Sequence, residues 1–403
     1  MMETARSLAL PGIETLETRR LMSGGPFGHQ ESDAFVSQTN LVSDGFVPAA
    51  HTDPNLLNPW GVSFGPNTPF WVSDNNAGVA TLYDGNGVAQ PTPTPQNPKA
   101  TPLVVTIPGG GSTAKNPVMG NPTGQVFAGG LGFTISLPNG KTAKPVFIFV
   151  GEDGAITGWD PTIDRNNAQI AVDNSSIPNA ANGAVYKGAT LGTVGTSPEL
   201  FVTNFRAGTI EAYDTSFHQV HLSAGAFSDP RIPAGFAPFN VQDLNGKLYV
   251  TYAKQNAAKH DDVEGAGNGF VDVYNTSGVL LQRFHHGKFL DSPWGVAQAP
   301  SSWGHLAGDI LVGQFGSGHI DIFDAKGHFR GFVRGADEKP VTIDGLWALT
   351  PGNDAGAGDS QKIYFTAGLN HEMDGLFGSL TFHSQQDDRD LHHLLDHEHG
   401  DGN

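Results

Sequence analysis

The chain has no cysteine, so neither a disulfide framework nor a thiolate-held zinc site can contribute to its fold or its chemistry. Charge is scarce and one-sided. Lysine and arginine number 22 against 40 aspartates and glutamates, a net charge of −18. Such a surface repels phosphate backbones and anionic headgroups, which argues against nucleic acid and acidic lipid as partners and suits cations or neutral ligands. No stretch approaches the ~18 consecutive apolar residues of a membrane-spanning helix. There is no H-E-x-x-H pair and no P-loop. Gly109-Gly110-Gly111 follows a strand-like run but opens into Ser112-Thr113-Ala114-Lys115 without a helical pattern, so it reads as a loop.

What the chain has in excess is glycine (53) and proline (27), and both punctuate short runs rich in Val, Ile, Phe and Tyr. That is the pattern of many short strands joined by turns. One phrase recurs six times. It reads FWVSDNNAGVATLYDG from Phe70, FIFVGEDGAITGWDP from Phe147 and LFVTNFRAGTIEAYDT from Leu200, with related copies from Leu248, Ile310 and Ile363. Repetition at tens of residues marks units that cannot bury their apolar faces alone and must stack. Each copy divides into four short strands, so the expected fold is all-β, a six-bladed β-propeller of four-stranded antiparallel blades. After the first blade, which opens at Asn58, the divisions fall at about 122–172, 188–226, 235–284, 292–333 and 344–382. Val72, Val150, Val202, Val250, Val312 and Phe365 mark equivalent places on the second strands. The sixth copy stops after its third strand. Residues 35–42 can supply the missing outer strand, closing the ring and covering an open sheet edge.

In such a meander the start of the inner strand and the turn after the second strand share one face of the ring. Two columns of the repeat therefore meet at one mouth of the central channel. They bring together Trp60, Asn75, Tyr252, Trp294, Gln314, Trp347 and Asn370 as a ligand-binding face. Oxygen donors from Glu152, Asn204, Asn240 and Asp344 in the same columns could converge on Ca²⁺, which takes 6–8 oxygens in flexible geometry. The alternative is that Asp and Asn cap tight turns while the tryptophans fill the funnel between blades. The fourth copy carries the longest insertion, residues 253–265, which places His260, Asp261, Asp262 and Glu264 on the same face. Loops longer than a turn requires are disproportionately functional. The spacing is not that of an EF-hand.

Several phrases carry a resemblance. Asp53-Pro54-Asn55-Leu56-Leu57-Asn58-Pro59-Trp60-Gly61, Phe205-Arg206-Ala207-Gly208-Thr209-Ile210, Gly235-Phe236-Ala237-Pro238-Phe239-Asn240, His260-Asp261-Asp262 and Asp374-Gly375-Leu376-Phe377-Gly378 resemble a family of uncharacterised exported bacterial proteins. The resemblance spans roughly residues 35–382 and implies a six-bladed propeller of the NHL-repeat kind; it carries no activity. Leu16-Glu17-Thr18-Arg19-Arg20-Leu21-Met22-Ser23 resembles the LEPR-x-LL-S segment of planctomycete-type exported proteins, with Thr18 in place of Pro and Met22 in place of Leu. The chain thus divides into an export leader (1–34), the propeller (35–382) and a His/Asp-rich tail (383–403). The tail holds His392, His393, His397 and His399, a composition that can bind transition metals but is commonly only solvated. The expected function is a secreted or cell-surface scaffold, without catalysis of its own, that binds a small molecule, glycan or protein at the channel face. The alternatives are a calcium-dependent, lactonase-like hydrolase and a purely structural envelope protein.

Overall fold

The computed structural model describes residues 34–384 apart from 93, 95 and 96, so the leader-like segment and the histidine-rich tail lie outside the described residues. The β-rich runs end where a residue can take the turn. After the second strands of the first and third blades, Gly78 and Gly208 adopt φ of 64° and 71°, a left-handed conformation that strains any side chain but not glycine.

The first blade pairs Pro59–Ser63, Phe70–Asp74, Val79–Tyr83 and Val105–Thr106 in that order. Four more sheets repeat it, with inner strands Pro122–Phe127, Tyr186–Val194, Phe236–Leu244 and Pro293–Gln298. The sixth runs from inner strand Leu346–Pro351 through Ile363–Gly368 to Asp374–His383. There the N-terminal strand Phe35–Ser43 pairs antiparallel, from Phe35 opposite His383 to Ser43 opposite Leu376. The protein is thus the six-bladed propeller its repeats imply, closed by its own N-terminal strand. His51–Thr52 adds a short parallel strand outside the closure. Among the described residues no helix is long and apolar enough to cross a membrane.

The inner strands pack nearly backbone to backbone around the axis. A Cβ on Gly61 would lie 2.4 Å from the carbonyl oxygen of Thr123, and one on Gly124 would lie 2.5 Å from the amide of Ala189. Glycine at these places lets neighbouring blades close up, and Trp60, the residue just before Gly61, lines the mouth. Hydroxyls on the second strands then tie one blade to the next: Thr203 Oγ1 bonds the Phe239 carbonyl at 3.3 Å, and Thr366 Oγ1 bonds that of Trp60. The last bond joins the sixth blade to the first. Thr366→Val is therefore expected to lower stability by ~1 kcal/mol, the net worth of a buried hydrogen bond. An unchanged midpoint in chemical denaturation would show that the bond contributes nothing to closure.

One register differs from the sequence reading. Val72 pairs with Thr81, and its counterpart in the second blade, opposite Thr157, is Phe149 rather than Val150. The inner strand agrees, since Pro122 faces Gly151 where Pro59 faces Asp74. This one-residue shift moves every side chain of that strand to the other face. Glu152 thereby corresponds to Asn75, the residue just past the end of the second strand.

Candidate functional site

Strand alternation decides which residues reach the axis. The inner-strand column reads Trp60, Thr123, Lys187, Phe239, Trp294 and Trp347, each one residue after a member that pairs with the second strand at its end or within two residues of it. Trp60 and Trp347 stack with centroids 3.5 Å apart, and Trp294 meets both edge-on at 6.2 and 5.9 Å. Phe205, Phe239 and Phe315 complete this aromatic plug. Below it Gln125 Nε2 donates to the carbonyls of Gly61 (2.8 Å) and Trp71 (2.6 Å), and Asn240 Nδ2 to that of Trp294 (2.9 Å). Only about 30 Å³ is left free among these side chains. The mouth is a cup with an aromatic floor, not the end of a tunnel.

The cup has a volume of about 220 Å³ and draws on five blades. The first supplies Asn58, Trp60, Asn75 and Asn76, the second Glu152, the third Lys187, the fourth Asp261 and Asp262, and the sixth Trp347, His371 and Glu372. Lys187 is the centre of its electrostatics. Its side chain is 2% exposed, forms an ion pair with Glu152 Oε1, lies 3.7 Å from Asp261 Oδ1 and sits 4.9 Å above the Trp60 ring. Burial alone would pull its pKa down, but the attraction and hydrogen bond of Glu152 prevail and hold it above the ordinary lysine value. Asn75 Nδ2 braces the other oxygen of Glu152 at 3.0 Å.

The fourth-blade loop is shaped by Asn256, whose Oδ1 accepts from the His260 amide (3.1 Å) and whose Nδ2 donates to Asp261 Oδ2 (3.1 Å). His260 Nδ1 is 2.6 Å from Asp261 Oδ1, and this contact first, then Lys187, holds the Asp261 carboxyl below its usual range. Asp262 is pushed up by burial, and its Oδ2 is a buried atom with no hydrogen-bond partner. On the sixth blade Asn370, His371 and Glu372 take φ of 53°, 55° and 65° in succession. Three non-glycine residues in the left-handed region cost ~1–2 kcal/mol each. They are held by Asn76 Nδ2 on the Glu372 carbonyl (2.6 Å) and by Asp344 Oδ2, which accepts from the Asn370 amide (3.1 Å). Glu372 Oε1 accepts from Asn58 Nδ2 (3.2 Å), while Asn58 Oδ1 accepts from Trp347 Nε1 (3.0 Å). Burial, then the negative charge of Glu152, pushes the Glu372 carboxyl up to about 7.

Of the residues singled out as a binding face, Trp60, Asn75 and Trp347 line the cup, and Trp294 lies in the aromatic floor. Asn370 is an exposed rim residue bonded to Asp374 (2.8 Å). Tyr252 and Gln314 alternate to the other face of their strands: Tyr252 bonds Tyr274 at 2.8 Å, and Gln314 receives the Asp291 amide at 2.7 Å. Of the four proposed calcium ligands only Glu152 reaches the cup. Asn204 caps its own turn and bonds Glu211 (2.7 Å), Asn240 lies below the floor, and Asp344 holds the rim. In the long loop His260, Asp261 and Asp262 gather at the mouth, with Glu264 exposed beside them. Glu152, His260 and Asp261 each offer a ligand atom within 4.8 Å of the others. The spacing Gly61-Val62-Ser63-Phe64-Gly65 is that of a nucleophile elbow, but it starts on an inner strand with no helix after it.

Lys187 and His371 were not anticipated. Lys187 carried a signal, since it stands in a column otherwise held by aromatic residues and one threonine. The left-handed turn that presents His371 had none.

No family model matches the chain. It is 31% identical over 365 residues to protein L690 of Acanthamoeba polyphaga mimivirus, covering 88% of each chain, and 29% identical to protein R648 of the same virus, covering 88% of this chain and 82% of the other. Both bear the description uncharacterized. These relatives are viral, whereas the resemblance read from the sequence was to bacterial proteins. Among solved structures the chain is similar to a streptogramin B lyase (TM-score 0.44, 11% identity, 87% of this chain and 98% of the other). It is also similar to an α-L-arabinofuranosidase of Fusarium graminearum (TM-score 0.42, 12% identity, 86% and 98%). These are likenesses of fold alone.

Proposed function

The chain belongs to the family of the uncharacterised mimivirus protein L690, and we propose that it is a ligand-binding propeller whose channel-mouth cup takes a small polar molecule. The observation that carries this reading is the convergence of polar and charged side chains from five blades on one 220 Å³ cavity with a closed aromatic floor. At ~30 Å³ of liquid volume per water, that is space for about seven waters, the scale of a single sugar or polyol. Concave sites with few, convergent polar groups on an apolar base are the usual form of small-molecule sites. The test is native mass spectrometry after incubation with a soluble-metabolite extract. A retained small mass is expected in the wild type and none in Asp261→Trp, which fills the cup from a position 59% exposed. Retention by neither protein, or equally by both, overturns the reading.

A divalent cation on Glu152, His260 and Asp261 is the second reading, favoured by the proximity of their ligand atoms. Against it, the Lys187 ammonium already pairs with Glu152 and lies close to Asp261, so a metal there must displace it. Excess calcium is expected to leave the melting temperature unchanged. A rise of several degrees would favour the cation, since a ligand that binds only the folded state raises its stability, and with it the metal-dependent hydrolase.

A further inference from the structure

We propose that the molecule held in this cup is a small amino alcohol or amino polyol, whose ammonium group sits between Glu372 and Asp262. The inference rests on the reading of the cup as a binding site and names the chemistry it selects. Four carboxylates meet there, those of Glu152, Asp261, Asp262 and Glu372. Lys187 serves the first two, and His260 adds a second contact to Asp261. Among the described residues Asp262 and Glu372 form no direct ion pair: Lys187 attracts both from further off, Asp262 Oδ2 is buried and unbonded, and the side chain of Glu372 is bonded only by the neutral amide of Asn58.

Two half-buried carboxylates facing one cavity form a receptor for positive charge, because an ionised carboxylate partly out of water is stabilised by a counter-ion or a proton. The same cup already accommodates one ammonium, that of Lys187, against Glu152 and the face of Trp60. A net charge of −18 on the whole chain also raises the local concentration of cations.

The hydroxyl part of the ligand comes from an independent observation. Trp60 is 2% exposed and lines the cavity, and its Nε1–H has no hydrogen-bond partner. An orphaned indole donor is costly unless an acceptor meets it. An ammonium has no acceptor to give, whereas a hydroxyl oxygen on the same molecule does.

Proton linkage provides the sharpest readout. Without a ligand, burial and the charges of Glu152 and Asp262 outweigh the opposing Lys187 and Asn58, and the Glu372 carboxyl is pushed up to about 7. His371, on the same turn, and Asp261, across the cup, also line the cavity. Binding an ammonium requires the ionised form, so affinity rises with pH. A group titrating near 7 is about tenfold more ionised at pH 8 than at pH 6.

The experiment is isothermal titration of the full chain with glucamine, an amino polyol that stays protonated over this range, and with sorbitol as its neutral counterpart. Glucamine is expected to bind saturably, about tenfold tighter at pH 8 than at pH 6, and at least tenfold tighter than sorbitol at pH 8. Glu372→Gln is expected to abolish the pH dependence. Asp262→Asn, checked for native circular dichroism alongside it, should weaken glucamine and spare sorbitol. No glucamine binding, equal affinity for sorbitol, or pH-independent glucamine binding in the wild type overturns the inference. Retention of an extract metabolite in a cup that ignores glucamine would sink the amine and leave the binding reading standing.

Discussion

Replacing Lys187 by methionine is expected to destabilise the protein by about 3–5 kcal/mol, the cost of stranding a buried charge by removing its partner. Methionine matches the length and packing of the lysine stem, so the loss reports the ammonium rather than a cavity. What remains is Glu152, braced by Asn75 and facing Asp262 and Glu372, with histidines, His260 and His371, as the groups at the cup able to carry positive charge. Two controls make the prediction specific. Adding Glu152→Gln to Lys187→Met should recover most of the loss, because a neutral pair of similar shape often substitutes for a buried ion pair at little cost. Lowering the pH toward 5 should also narrow the gap between Lys187→Met and wild type, since a proton can then replace the missing cation. Chemical denaturation of the three proteins measures both effects. A loss under ~1 kcal/mol for the single variant would mean that Lys187 does not hold the cup's carboxylates together.

The behaviour of Lys187 also explains what the sequence could and could not disclose. The repeat made the ring legible because every copy spells the same alternation of apolar runs and turn residues, and the truncated sixth copy made the closing strand legible too. The columns at the mouth were legible only to within one residue. A strand's side chains alternate with period two, so the difference between lining the channel and packing between blades is a single step. Tyr252 and Gln314 were placed on the wrong side of it, and their polar atoms are occupied between strands by Tyr274 and Asp291. Glu152, read into the channel columns from the sequence, lines the cup although the second blade pairs one residue out of the alignment that its valine suggested. Lys187 was visible as a misfit in an aromatic column, yet a lone lysine reads as a surface residue until its neighbours across the ring are known. The turn at Asn370, His371 and Glu372 was not legible at all. Nothing local favours three left-handed non-glycine residues, and they are held by Asn76 and Asp344, partners distant in sequence or brought close only by the fold.

Stability is expected to fall as the pH is raised from 5 to 9, a range over which salt-bridged carboxylates alone would leave it level. Asp321 is fully buried at the centre of the fifth blade, where burial pushes its carboxyl up to about 8. Its company is one amide, Gln314 Nε2 at 3.2 Å, and its Oδ1 has no partner. In the unfolded chain an aspartate ionises near 3.9. Below that pH both states hold the proton and the stabilising contribution is complete. Between about 4 and 8 the unfolded chain releases it while the folded protein keeps it, so each pH unit costs ~1.4 kcal/mol for one such group. The loss ends once the folded protein ionises as well, above about 8. Asp272, raised to about 7 by burial and then by the charge of Asp229, acts in the same direction, as does Asp74, which burial raises well above its ordinary value. Asp229 works the other way: Arg283 lowers its carboxyl below the usual range, so its stabilising contribution disappears only as the pH falls below about 4. The stability curve is therefore expected to peak near pH 4, about the ionisation of an aspartate in the unfolded chain, and decline on both sides. Asp321→Asn isolates the contribution of this one group, because an amide of the same shape keeps the contact with Gln314 and cannot ionise. At pH 5 the variant should differ from wild type by ~1 kcal/mol or less, within the range for exchanging one buried hydrogen bond. At pH 9 it should be the more stable protein, by an amount on the order of a few kcal/mol. Denaturation midpoints of the two proteins at pH 5, 7 and 9 test the claim. Parallel curves would mean that Asp321 is ionised in the folded protein at neutral pH and that the fifth blade stabilises its charge by some other group.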